Sequence, residues 1–177
     1  MVEVVHRDLK PENILLTDNS ADCILKVSRP PSAPSELQQI SDFGLAKALA
    51  KGRECRTNCG TPKYMAPEVF AVGRGSAEGL KKYGKEADLW GLGVILYVML
   101  TCSMPFGGED DEDLEEEMIQ IAHGKKMYAD LFNCDAWETK SKEVKNMISQ
   151  LLEPDMQKRL TVEAARKHRW MREEEKG

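Results

Sequence analysis

Residues 6–13 read His6-Arg7-Asp8-Leu9-Lys10-Pro11-Glu12-Asn13. Six of these eight side chains are polar or charged, and apolar runs flank them: Val4-Val5 before, Ile14-Leu15-Leu16 after. Short strands holding a polar, function-bearing loop are the natural reading of such a pattern. A further short strand is expected at Cys23–Val27. The stretch Ser28–Gln39 contains three prolines and three serines with one large apolar residue. It suits neither a central strand nor a helix and is read as an inserted loop over residues 28–41. Removing residues 29–41 would join Leu25-Lys26-Val27-Ser28 directly to Asp42-Phe43-Gly44.

Downstream the pattern turns helical. Ala87–Leu100 is dense in apolar residues and long enough for a core helix. Asp113–His123 repeats Leu114, Met118 and Ile121 at helical spacing, with Gly124 as a stop. Trp137–Glu153 reads as a third helix, with Val144, Ile148, Leu151 and Leu152 on one face. Thr161 is placed as the N-cap of a last helix reaching Trp170, with Glu163 near its positive end. Gly52–Met65 and Val72–Gly84 read as loops, the latter as an exposed connection. The expectation is a mainly α chain with a little strand near its beginning.

Composition narrows the function classes. The chain has 177 residues, 25 Lys plus Arg against 30 Asp plus Glu, and a net charge of −5. That balance argues against a nucleic-acid or anionic-membrane binder, which needs a basic surface. The apolar run Leu89–Met104 is interrupted by Gly91, Gly93 and Ser103 and is too short to span a bilayer. Charged residues crowd the first fifteen positions, so no signal peptide is expected. The 5 cysteines are odd in number and scattered, which fits reduced thiols and an intracellular location, cytoplasmic or nuclear. Glu109–Glu117 is acidic at eight of nine positions and reads as a solvated face.

Two more triplets fix the chemistry: Asp42-Phe43-Gly44 and Ala66-Pro67-Glu68. Each alone is weak, but in this order after His6-Arg7-Asp8 they form the protein-kinase signature. From Val4 to about Trp170 the sequence resembles the eukaryotic protein kinases. The resemblance implies a kinase C-terminal lobe: mainly α, with a short β element at the catalytic loop and no N-terminal lobe in these residues. Its parts would be a catalytic loop at 6–13, the insertion at 28–41, an activation segment at 42–68 and a helical subdomain at 85–171.

The resemblance also implies roles. Asp8 would accept the proton of the substrate hydroxyl, and Lys10 would reach the transferring phosphate. Asn13 and Asp42 would hold Mg²⁺, an ion that favours hard oxygen ligands. With Lys10 and Glu12 they would contribute to the ATP site. Arg7 would hold a phosphate on Thr57. Thr61 would bridge Asp8 and Lys10, and Glu12 would face a basic residue of a protein substrate. His6 and Phe43 would pack together. Asp88 would bond back to the catalytic-loop backbone, and Glu68 and Arg159 would form a buried ion pair. Lys10 and Gly60-Thr61-Pro62-Lys63-Tyr64 resemble the Ser/Thr pattern rather than the tyrosine one. The nearest subgroup resembles the calcium/calmodulin-dependent kinases, checkpoint kinase 2 type.

Departures from that pattern carry their own expectations. No Gly-rich phosphate loop and no strand lysine occur in the 177 residues. Positioning supplies most of the catalysis in phosphoryl transfer, so these residues alone are expected not to turn over. A kinase-lobe remnant serving as a non-catalytic interaction module is the alternative. Gly91 stands where the family usually has serine, and Met156 and Arg169 where it usually has proline.

Overall fold

The computed structural model describes residues 2–16, 25–27, 47–50, 60–73, 83–107, 111–124 and 131–172. The insertion at 28–41 and most of the segment 42–59 lie outside the described residues. Strand β1 (Val2–Val5) pairs antiparallel with β4 (Lys47–Ala50), Val5 facing Lys47. Strand β2 (Ile14–Leu16) pairs antiparallel with β3 (Leu25–Val27), Ile14 facing Val27. The polar octet thus bridges two small ribbons, as the flanking apolar runs suggest. Strand β4 was not expected: its Lys-Ala-Leu-Ala sequence has little strand propensity, and pairing with β1 overrides it.

Among the described residues after 66 the α-helices are α1 (Pro67–Gly73), α2 (Glu86–Thr101), α3 (Asp111–Ala122), α4 (Lys142–Leu151), α5 (Val162–Lys167) and α6 (Arg169–Arg172). Helix α2 is apolar almost all round, and Ala87, Leu89, Trp90, Val94, Ile95 and Tyr97 are buried along it. That makes it a central core helix rather than a surface one. It stops at Cys102, which turns left-handed with φ 56° and donates its N–H to the Val98 carbonyl at 2.8 Å. Helix α3 lays Leu114, Met118 and Ile121 into the main core and ends at Gly124, whose φ of +66° costs glycine nothing.

Aromatic rings knit the core around α2. Trp90 stacks on Phe106 at 5.3 Å between centroids, and Tyr97 meets Trp137 at 5.2 Å. Phe132 stands edge-on to Trp137 at 4.9 Å. On the other side of α2, Leu89 joins Met147, Leu151, Leu160 and Ala165.

Three sequence expectations need correction. The helix read from Trp137 begins at Lys142 instead. Trp137 belongs to a separate 3-10 turn, Asp135–Trp137, and is fully buried. Ser141 sets the true start, its Oγ accepting the Val144 N–H at 3.3 Å. The last helix is capped by Thr161 as expected but breaks at His168, where ψ is 145°, giving two short helices. The connection read as exposed from Val72 starts with helix at α1, and at its far end Tyr83 is buried. Proline at the first position and Glu68 in the first turn are the signals for α1.

The two interior glycines of α2 differ in what surrounds them. A Cβ on Gly91 would sit 3.5 Å from the Leu9 Cβ and the Tyr64 carbonyl, an ordinary contact. A Cβ on Gly93 would come within 2.9 Å of both Leu151 and Leu152, so α4 packs there because the side chain is missing. Gly91→Ala is therefore expected to stabilise the chain by about 0.5–1 kcal/mol through helix propensity. Gly93→Ala is expected to destabilise it by about 1–3 kcal/mol through overpacking. Urea midpoints of the two variants against the parent decide the matter.

Candidate active site

The loop at 6–13 is fixed first by its backbone. Asp88, in the first turn of α2, accepts the His6 N–H on Oδ2 at 2.8 Å and the Arg7 N–H on Oδ1 at 2.9 Å. Arg7 sits at φ 70°, a conformation costing a non-glycine residue about 1–3 kcal/mol. The paired amide bonds to Asp88 hold it there. Gly60 faces it at φ 120°, and any Cβ at that position would collide with the Arg7 carbonyl oxygen. Glycine at 60 is thus required twice over, by its own backbone angle and by the close approach. Burial pushes the Asp88 carboxyl up, against the opposing pull of the His6 and Arg7 amides.

The side chains then converge on Asp8, which is 8% exposed. Its Oδ1 accepts the Thr61 N–H at 2.9 Å and the Thr61 hydroxyl at 2.7 Å. Its Oδ2 lies 3.1 Å from Lys10 Nζ, which also donates to Thr61 Oγ at 3.0 Å. Burial alone would raise the Asp8 carboxyl, but the bonds from Thr61 and Lys10 and the Lys10 charge outweigh it and hold the group below its usual range. Asp8 is therefore a carboxylate at neutral pH. The Asp8 N–H points to His6 Nδ1 at 3.3 Å, which assigns the ring hydrogen to Nε2.

Asn13 closes the loop. It ends the 3-10 turn Pro11–Asn13 and donates its amide N–H to the Asp8 carbonyl at 2.8 Å. The amide nitrogen being committed, the ligand-type atom of Asn13 is its oxygen. Glu12, in the same turn, is exposed. Its charge joins burial in raising the Tyr64 phenol, with Lys10 opposing.

The buried pair expected between Glu68 and Arg159 is present and bidentate. Nη1 meets Oε1 at 2.6 Å and Nη2 meets Oε2 at 2.9 Å. Arg159 spends its remaining donors on carbonyls: Glu86 at 2.9 Å, Glu153 at 2.9 Å and Pro154 at 3.4 Å. Its guanidinium also lies 5.2 Å from the Trp90 ring centre. All five N–H groups are thus used, which is what a buried arginine needs. The pair ties α1 to the chain after α4.

Of the residues singled out from sequence, His6, Arg7, Asp8, Lys10, Glu12, Asn13, Thr61, Glu68, Asp88 and Arg159 are placed, and all but Glu68 and Arg159 gather at the loop. Asp42, Phe43 and Thr57 lie outside the described residues. Sequence reasoning missed the steric role of Gly60, although Gly60-Thr61-Pro62 signals a tight turn. It also missed the carbonyls around Arg159, which no sequence pattern reveals.

The family model for the protein kinase domain matches residues 2–171. The chain belongs to the protein kinase family. The kinase chain is 39% identical over 168 residues to the probable serine/threonine-protein kinase fhkC of Dictyostelium discoideum, covering 94% of this chain and 24% of that protein. It is 35% identical over 170 residues to the ovarian-specific serine/threonine-protein kinase Lok of Drosophila melanogaster, covering 96% and 30%. It is 37% identical over 168 residues to human calcium/calmodulin-dependent protein kinase type 1B, covering 95% and 40%. These relatives are Ser/Thr kinases, and one belongs to the calcium/calmodulin-dependent group that the sequence resembles. The chain spans between a quarter and two fifths of their lengths. Among the described residues, no helix is long and apolar enough to cross a membrane.

Two outcomes follow. Glu68→Ala is expected to cost about 3–5 kcal/mol, because it leaves Arg159 buried and charged without its partner. Differential scanning calorimetry or urea unfolding reads this directly. The second concerns acid. Since Asp8 is held below its usual range in the folded chain, the stability it contributes is complete above that range. It is lost as pH falls through the lowered value. Thr61→Val removes one of the holding bonds, so the acid-side slope of urea midpoint against pH is expected to flatten.

Proposed function

We propose that this chain carries the phosphoryl-transfer centre of a protein serine/threonine kinase. The observation that supports it best is the Asp8 carboxylate, kept ionised and aimed by Thr61 and Lys10 on a loop pinned to Asp88. In this reading the β–γ bridge of ATP breaks and the γ-phosphoryl passes to a Ser or Thr hydroxyl oxygen. The hydroxyl proton goes to Asp8, and ADP leaves. An ionised carboxylate is a modest base, which suits a loose transition state in which positioning matters more than early proton removal. The Lys10 ammonium, 3.1 Å from Asp8 and 24% exposed along its side chain, balances charge on the moving phosphoryl group.

Magnesium and ATP fit the donor chemistry present. Asn13 presents an oxygen, its nitrogen being engaged on the Asp8 carbonyl. Asn13 and Asp42 would hold Mg²⁺, which supplies charge neutralisation on the phosphates. Lys10 and Glu12 border the same nucleotide site. Arg7 would take a phosphate on Thr57, ordering the activation segment. Glu12 would face a basic residue of the substrate. The parts assigned are a catalytic loop at 6–13, an insertion at 28–41, an activation segment at 42–68 and a helical subdomain at 85–171. The Gly-rich loop and strand lysine that complete such a site must be supplied from outside the 177 residues.

The test is phosphate transfer from Mg-ATP to Ser and Thr peptides, with these residues in a chain that also carries the phosphate-covering elements. Asp8→Asn is expected to lower kcat about 10²–10⁴-fold with peptide KM little changed. No transfer by the natural sequence above the Asp8→Asn background would instead leave the lobe an interaction module.

A further inference from the structure

The half-buried His168 stands at the break between α5 and α6, with φ −62° and ψ 145°. Its ring makes two bonds that run in opposite senses. The Trp170 backbone N–H lies 3.2 Å from Nδ1 and can only donate, so Nδ1 accepts. The ring hydrogen is therefore on Nε2, which donates to Asn146 Oδ1 of α4 at 2.9 Å. Gln150 Nε2 donates to the same oxygen at 2.7 Å and fixes which way the Asn146 amide points. Only one neutral tautomer of His168 satisfies both ring bonds.

The bond to Trp170 is a helix cap. His168 is extended just before α6 and takes the amide of that helix's second residue. Arg169, at the first position, does not preset the backbone as a proline would. A helix of four residues has little stability of its own, so α6 depends on its cap and its docking. What it holds in place is Trp170, half-buried against both core clusters.

A proton taken from solvent onto Nδ1 removes the acceptor and sets an N–H against the Trp170 N–H. Histidine is the residue type that gains a proton between about pH 8 and about pH 5. The packed elements offer the new charge little compensation. Helix α4 carries Lys142, Glu143 and Lys145, and α5 carries Glu163, Arg166 and Lys167. Helix α6 adds Arg169 and Arg172, and Arg169 already reaches Glu143 at 3.8 Å. The glutamates at 173–175 follow outside the described residues.

We propose that His168 is a pH-sensitive latch. Neutral, it caps α6 and ties it to α4. Protonated, it lets α6 go, and Trp170 leaves the core face with it. The stability that the latch contributes is present while the ring is neutral and is lost as pH falls through the histidine range. The device is independent of the phosphoryl-transfer reading.

Fluorine NMR of the whole chain labelled with fluorotryptophan tests it. Trp90, Trp137 and Trp170 give one resonance each, and Trp170→Phe assigns the third. Between about pH 8 and about pH 5.5, the Trp170 resonance is expected to move toward its position in urea while the other two stay. Hydrogen-exchange protection of the Trp170 amide is expected to fall about two- to thirtyfold, the size of one lost cap. His168→Asn supplies a cap that does not titrate and is expected to abolish the movement. His168→Ala is expected to show the released position at both pH values. Asn146→Ala removes only the tie to α4 and is expected to keep the pH response. Far-UV circular dichroism at the higher pH confirms the fold of each variant. A Trp170 resonance that stays put in the natural chain, or moves equally in His168→Asn, overturns the proposal and leaves His168 a structural cap. Movement of all three resonances together reports global acid unfolding and overturns it as well.

Discussion

One half-buried carboxylate, Asp88, joins the loop at 6–13 to α2. Its two oxygens take the consecutive amides of His6 and Arg7, and in doing so they fix a backbone angle that arginine would otherwise leave. Each element of the site depends on that bend. It turns the Asp8 side chain toward Thr61, brings the Arg7 carbonyl against Gly60, and lets Asn13 reach back to the Asp8 carbonyl. Desolvating a carboxylate at the start of a helix is costly by itself. The two amide bonds and the positive end of α2 offset that cost together.

The Glu68–Arg159 pair plays the corresponding part further out. Where Asp88 anchors the loop to the core, Arg159 anchors α1 to the segment after α4, over the face of Trp90. The half-buried Asp88 and the buried Glu68–Arg159 pair flank one polar site whose own charges are partly exposed. The arrangement gives a rigid base and a working surface with opposite charges at its edge.

Much of this was readable in the residues. The octet at 6–13 announced its loop through flanking apolar runs, and α2 announced itself by length and apolar density. Asp88, Glu68 and Arg159 came from resemblance to the kinases, and the structure brings each to its partner. The misses have physical causes. A periodic apolar pattern cannot show that Ser141, four residues after Trp137, intercepts a helix by capping it. Nor can it show that Trp137 is buried from a separate turn, because burial of an aromatic ring does not require a helix. Strand β4 depends on a partner more than 40 residues away, which local propensity does not see. The hydrogen bonds that hold the Asp8 carboxyl down converge from position 61 and were legible only as a motif.

The sequence separation of these anchors bears on how the chain reaches its structure. Asp88 lies 82 and 81 residues from the amides it binds, and Arg159 lies 91 from Glu68. The backbone bonds of α2 to α4 are local, whereas the bend at Arg7 needs Asp88 of α2 beside it. Loop closure over such distances costs chain entropy before any bond rewards it. The bonds that shape the site are thus among those with the greatest closure cost in the described chain.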